Sequence, residues 1–202
     1  LRDICSRHNI LLIFDEVITA FGRVGAATAS ELLGIQPDLI CLAKGLTNGT
    51  IPMGAVAISG KIYKALMTGP ENTIEFLHGY TYSGHPVASA AGLAVLGIAK
   101  KEGLFERAAE LAPYFEEAVH SLRGITNVID IRNFGLAAGV ELEPRGGRPG
   151  ERGFEVFRTC FEQGILSRVT GDILALAPAM IAEKRHIDQL VETLGRVIRS
   201  TS

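Results

Sequence analysis

Asp15 closes the apolar run Ile10-Leu11-Leu12-Ile13-Phe14, and Lys44 closes the run from Asp38 through Leu39-Ile40-Cys41-Leu42-Ala43. Each is an ionisable group at the end of an apolar segment of strand length. In an open α/β sheet, ligands bind outside the carboxyl ends of the strands, so opposite charges delivered there point to a site. A lysine beside a carboxylate in such a scaffold suits pyridoxal phosphate, whose aldehyde forms a Schiff base with lysine and whose ring nitrogen is paired by an acidic residue or arginine. Each residue also has a plainer reading. An acid after a strand can simply cap the next helix, and a lysine there can be a solvated loop residue.

The flanking residues narrow the choice. Leu12-Ile13-Phe14-Asp15-Glu16-Val17 is followed by Phe21-Gly22-Arg23, and Pro37-Asp38-Leu39 leads to Ala43-Lys44-Gly45-Leu46. Asn48-Gly49, Pro52-Met53-Gly54-Ala55 and His78-Gly79-Tyr80-Thr81-Tyr82-Ser83-Gly84-His85-Pro86 come next. These motifs, with the 29-residue separation of Asp15 from Lys44, resemble the class III aminotransferases. Asn9 to Arg23, Thr47-Asn48-Gly49 and Asn127 to Asn133 look most like the ω-amino acid:pyruvate, or β-alanine:pyruvate, branch. Ala20 departs from the pattern, since glycine is usual before Phe-Gly-Arg, and Thr50 and Ile51 sit in a loop that varies among members.

The resemblance implies a type I pyridoxal-phosphate aminotransferase fold, α/β, here the C-terminal part of the large domain plus a small α+β C-terminal domain. It implies that Lys44 carries the cofactor as a Schiff base and then moves a proton as general base. Asp15 would pair with the ring nitrogen, and Thr81 would reach the cofactor phosphate, that of a neighbouring subunit in relatives. Val17, two residues beyond Asp15, would lie on the same side if strand geometry continued, and could pack on the ring; ordinary core is its plainer reading. Arg168, in Leu166-Ser167-Arg168-Val169, matches the family position that recognises a substrate carboxylate, which a guanidinium fork suits. An exposed edge arginine remains its alternative, and Arg23 and Arg132 read as structural. Thr81 read without the resemblance is a turn residue satisfying its own backbone.

The implied reaction is transamination between an amine or ω-amino acid, such as β-alanine, and a keto acid such as pyruvate, by a homodimer or homotetramer. A racemase or aminomutase of the same fold would use the same lysine and aspartate. A non-catalytic fragment that needs a further N-terminal part is the reading from another class. Three parts of the family's site are not seen: a glycine- and serine-rich helix start for the phosphate, an aromatic for the second ring face, and a full set of substrate-pocket residues. In the family these come from the N-terminal part. Leu1 to His8 also reads as the last turns of a helix without a capping residue, so the chain is expected to be the C-terminal portion of a longer subunit.

Composition agrees with a globular chain. The 202 residues are 47% hydrophobic and 21% charged, with net charge −2, enough to bury a sizeable core. The 20 Lys and Arg are scattered among 22 acids, so no basic stripe exists for nucleic acid. The longest apolar stretch, Pro86 to Ala99, falls short of the ~20 residues that span a bilayer and reads as a tightly packed buried helix. Three cysteines, Cys5, Cys41 and Cys160, show no metal or redox spacing, and an odd number argues against a disulfide framework. A reducing, cytoplasmic compartment is expected.

Three divisions follow: 1–84 as the remnant of a large cofactor-binding α/β domain, 85–102 as a linking helix, and 103–202 as a small α+β domain. Ile10 to Phe14 and Leu39 to Ala43 read as strands of a parallel sheet covered on both faces. Ala55 to Ser59 is a third strand, Lys61 to Met67 a short helix, and Thr68 to Pro86 a long ordered loop. Beyond it, helices are expected at 104–122 and 153–163, strands at 128–133, 137–142, 165–168 and 173–176, and a final amphipathic helix striped by Ile187, Leu190, Val191, Leu194, Val197 and Ile198.

Overall fold

A computed structural model of the protein describes residues 1–72 and 76–201. Residues 73–75, inside the expected loop, and Ser202, at the end of the expected C-terminal domain, lie outside the described residues. Contacts divide the chain into two units, one of Leu1–Phe21 with Ala26–Gly103 and one of Gly22–Gly25 with Leu104–Ser202.

The first unit begins with the short helix α1 (Arg2–Arg7) and carries a three-stranded sheet in the order β1 (Ile13–Asp15), β2 (Leu39–Leu42), β3 (Ala55–Ile58). Strands β1 and β2 run parallel and β3 is antiparallel to β2. The crossover from β1 to β2 contains α2 (Ala29–Leu32), where Thr28 caps the helix by accepting from the Glu31 amide. Helix α3 (Gly60–Leu66) follows β3, and α4 (Pro86–Glu102) ends at Gly103 in the left-handed conformation.

The sheet is not covered on both faces as the continuous apolar runs suggested. Ile13 is 56% exposed and every residue of β3 is exposed. Nor is α4 a buried helix. It buries Ala88, Gly92 and Ala99 and leaves Val87, Leu93 and Ile98 open. Apolar runs report that a surface avoids water, and no other described segment of this unit supplies the second layer that these faces need.

The second unit has an antiparallel sheet in the order β4 (Val128–Phe134), β5 (Ala137–Leu142), β7 (Ile173–Leu176), β6 (Arg168–Thr170). Its helices are α5 (Leu104–His120), α6 (Glu151–Glu162) and α7 (Lys184–Ser200). Alternate residues Ala138, Val140 and Leu142 of β5 join Phe115 of α5, Val156 of α6 and Leu194 of α7 in one buried cluster. The expected stripe on α7 is that helix's buried side, with Leu190 at its margin. Pro113 sits inside α5, which continues past it to His120. One strand boundary differs from expectation: β6 begins at Arg168 instead of ending there, so that residue opens an edge strand.

Buried polar groups tie the connections down. Asp172 accepts from the amides of Gly150 and Gly153, and Arg152 donates to the carbonyls of Glu143 and Thr201. Among the described residues all three cysteines are free, no group of side chains could hold a metal ion, and no helix is long and apolar enough to cross a membrane.

Candidate active site

Asp15 and Lys44 are brought to the same end of the same sheet. In the parallel pair β1 and β2, Asp15 stands opposite Cys41, and the Glu16 amide donates to the Cys41 carbonyl at 2.9 Å. Lys44 follows three residues later, as the first residue of a 3-10 turn, Lys44–Leu46. Both side chains are therefore delivered beyond the carboxyl ends of adjacent parallel strands, where an open sheet leaves a crevice.

The surroundings of the two groups leave them available. Asp15 is exposed, and its Oδ1 accepts from the Val17 amide at 3.1 Å while its other oxygen has no partner among the described residues. Lys44 is exposed and makes no side-chain hydrogen bond or ion pair among the described residues. Its φ of 45° lies in the left-handed region, which a long L side chain rarely adopts. Strain of this kind persists only where the surroundings over-determine the backbone, and it clusters at functional positions.

Several contacts hold the lysine turn. The Leu46 amide donates to the Ala43 carbonyl, and buried Thr47 donates its hydroxyl to the Ile51 carbonyl at 2.7 Å. Gly92 of α4 lies beside the turn, where a Cβ would be in ordinary contact, 3.5 Å from the Leu46 carbonyl oxygen.

Val17 does not extend β1. The strand ends at Asp15 and Val17 lies in a turn, so the alternation that would have aimed it does not apply; its amide instead fixes the Asp15 carboxylate. Thr81 lies in a turn at the start of the segment before α4, and its hydroxyl makes no hydrogen bond among the described residues. With Pro52, Met53, Gly54, His78 and Tyr80 it lines a hollow of about 500 Å³. His78 accepts from the Tyr80 amide through Nδ1, and His85 caps α4 by accepting from the Ala88 amide.

Arg168 is exposed on the edge strand β6, paired in register with Ala175, and without a side-chain partner among the described residues. The other two arginines are engaged. Arg132 forms ion pairs with Asp130 and Glu141. Arg23 donates to the carbonyls of Leu136 and Pro178 at 2.9 and 2.6 Å, and burial pushes its pKa below the ordinary arginine value.

Glu16 escaped the sequence reading. It is 1% exposed, and its carboxylate accepts from the amides of Ala29 and Ser30 at 2.6 and 2.7 Å and from the Thr19 hydroxyl at 2.8 Å. Adjacent acids in Asp15-Glu16 look alike in sequence; only the fold turns one outward and the other onto the first amides of α2. Ala20, the departure from the glycine pattern, is buried and is absent from the positive-φ residues, so its conformation does not demand glycine.

Comparison with known proteins fits this geometry. The family described as Aminotransferase class-III matches residues 1–198, and the chain belongs to that family. It is 61% identical over 198 residues to the omega-aminotransferase of Caulobacter vibrioides, covering 98% of this chain and 45% of that protein. It is 50% identical over 200 residues to the beta-alanine–pyruvate aminotransferase of Pseudomonas aeruginosa, with the same shares covered. The chain thus spans about half the length of the curated relatives it matches. Among solved structures, an amine transaminase from an uncultivated Pseudomonas species, in its PLP-bound internal aldimine form, superposes with a TM-score of 0.91 at 34% identity over 100% of this chain and 47% of that one. An (S)-enantioselective omega-transaminase from Thermomicrobium roseum gives a TM-score of 0.90 at 32% identity, over 99% and 45%. The fold is that of the type I transaminases over the shared part.

Proposed function

We propose that the chain is part of a pyridoxal-phosphate-dependent aminotransferase acting on an amine or ω-amino acid such as β-alanine and on a keto acid such as pyruvate. The observation that carries this reading is the delivery of Asp15 and Lys44 beyond adjacent parallel strands, one with an open carboxylate oxygen and the other with an unpaired amine. That donor pair fits the group: a carboxylate for a cationic ring nitrogen and an amine for an aldehyde. Pyridoxal phosphate, when bound, supplies an electron sink for the charge left when a proton leaves the substrate carbon.

The chain's own residues then divide the work. Lys44 Nζ would be the group that holds the cofactor, and as a free amine beside the substrate carbon it would serve as the general base. Asp15 would pair with the ring nitrogen, its carboxylate positioned by the Val17 amide on Oδ1. Val17, in the turn beside Asp15, would pack on one ring face through its position next to that carboxylate and not through strand alternation. Thr81 donates its free hydroxyl to a phosphate, that of a neighbouring copy in a homodimer or homotetramer. Arg168 binds a substrate carboxylate through its unpaired guanidinium. Residues 1–84 are then part of the large cofactor-binding domain, with 85–102 linking it to a small C-terminal domain at 103–202, and the enzyme works in the cytoplasm.

The test is the visible spectrum of the purified chain with added pyridoxal phosphate, before and after borohydride, with Lys44→Ala as control. A reducible band lost in Lys44→Ala is the expected result, followed by amino transfer from β-alanine to pyruvate in the longer parent protein. A band that survives Lys44→Ala sinks the assignment. Amine loss or rearrangement without any keto-acid acceptor would instead select the racemase or aminomutase reading.

A further inference from the structure

We propose that Phe21 is a positioning residue for Lys44, an inference that rests on the role given to Lys44 above. The contact runs through Gly45. A Cβ on Gly45 would stand 2.9 Å from the Cβ of Phe21, closer than real Cβ contacts come, and a tight 3.3 Å from its Cδ2. Gly45 does not have a positive φ, so glycine is required there for space and not for backbone conformation. Phe21 thus lies directly on the backbone that follows the lysine.

Phe21 and the residue before Gly45 are both held in unusual backbone. Phe21 has φ 60° and Lys44 has φ 45°. A bulky aromatic in the left-handed region is an outlier, so the loop must hold it there. The means are visible. The Phe21 amide donates to the Ala27 carbonyl at 2.8 Å, and the Ala20 amide donates to the Glu16 carbonyl at 3.1 Å. Below them Glu16 accepts from Ala29, Ser30 and Thr19, with the carboxylate buried.

The segment that leaves Asp15 therefore forms a closed brace. Its base is fastened by Glu16 one residue after Asp15, and Phe21 presses on Gly45 one residue after Lys44. The cofactor-pairing carboxylate and the lysine are referred to one rigid piece of backbone, beyond the hydrogen bonds of β1 and β2. A site built from two strand ends needs such a link because strand ends fray and a small displacement of either group degrades their common geometry.

The test uses four forms beside the parent: Phe21→Gly, Phe21→Leu, Gly45→Ala, and Phe21→Gly with Gly45→Ala. The first readout is backbone amide exchange of Leu46 and Thr47 in the chain without cofactor, these amides being bonded to the Ala43 and Lys44 carbonyls. The second is the yield of pyridoxyl-lysine at Lys44 after pyridoxal phosphate and borohydride, read by mass spectrometry. Phe21→Gly is expected to speed exchange at both amides about tenfold and lower the yield, with β4 and β5 unaffected. Phe21→Leu, which keeps the branched carbon over Gly45, is expected to restore most of both. Gly45→Ala alone is expected to do at least as much harm as Phe21→Gly, and to add nothing in its presence. Parental exchange in Phe21→Gly, or strictly additive effects at the two positions, would overturn the brace. Absence of a Lys44 adduct from the longer parent protein as well overturns the cofactor reading alone, because the exchange comparison needs no cofactor and still decides the role of Phe21.

Discussion

The two units bury different things. In the second, the buried apolar residues include many large ones: Phe115, Leu136, Leu142, Leu174, Ile187 and Leu194 belong to one cluster. In the first, the buried apolar residues among those described are Ala20, Ala29, Ala88 and Ala99, while Ile13, Val56 and Leu93 stand open. Burial of large side chains is what stabilises a domain by itself, at about 1.5–3 kcal/mol for each fully buried one. The second unit therefore carries its own stabilising core. The first is held by hydrogen bonds at its turns and leaves its apolar faces open. The catalytic candidates Asp15 and Lys44 lie in the unit with the weaker core, and that is where a polar brace has most to do.

This contrast can be broken experimentally. Phe115→Ala should destabilise the second unit by about 3–5 kcal/mol, since it empties a fully buried site. Cys160 is the probe: burial pushes its thiol up to about 11, so alkylation should await opening of that unit and become much faster in the variant. Alkylation of Cys160 at the parental rate in Phe115→Ala would show that the cluster is not cooperative.

In the first unit the largest effect should come from a polar change. Glu16→Gln replaces one accepting oxygen by an amide nitrogen and strands a bonded amide of α2, at a cost of about 1–3 kcal/mol. Faster exchange at Leu32 and Leu33, with the second unit unchanged, is the expected signature. Loss of structure in both units together would contradict the separation.

Asp38 gives a pH test of the same unit. The Leu12 amide, and next the Arg2 guanidinium, hold its carboxyl below the ordinary carboxylate range. A depressed folded value means that this contribution is complete above the unfolded pKa of about 3.9 and is lost as pH falls through the folded value. A carboxyl titration by NMR should show the low midpoint, and Arg2→Ala should raise it. The smallest effect is expected from Ile13→Thr, within about 0.5 kcal/mol because the side chain is already exposed, while the protein should stay dispersed at higher concentration. A loss as large as that of Phe115→Ala would mean that the sheet face is covered.

Much of this was legible beforehand because it depends on local pattern. Helix α7 announced itself by a stripe at helical spacing, and β7 by a short apolar run between turns. Motif spacing likewise singled out Asp15 and Lys44. Burial was less legible. The runs Ile10 to Phe14 and Pro86 to Ala99 say that a surface is apolar, not whether this chain covers it, and here both stay largely open. The start of β6 at Arg168 and the turn at Val17 were missed because strand boundaries depend on pairing with distant residues.

What the sequence determined by itself is the chemistry available: an acid and a lysine closing apolar strands, with the glycines, threonine and arginine of a known family around them. Tertiary structure decided which of two neighbouring acids is free. It sends Glu16 inward to the amides of α2 and leaves Asp15 at the strand end with an open oxygen. It also decided that Phe21 and Gly45, 24 positions apart, touch. Those outcomes rest on which amides and which backbone surface the fold brings near. Side-chain type alone carries no record of that.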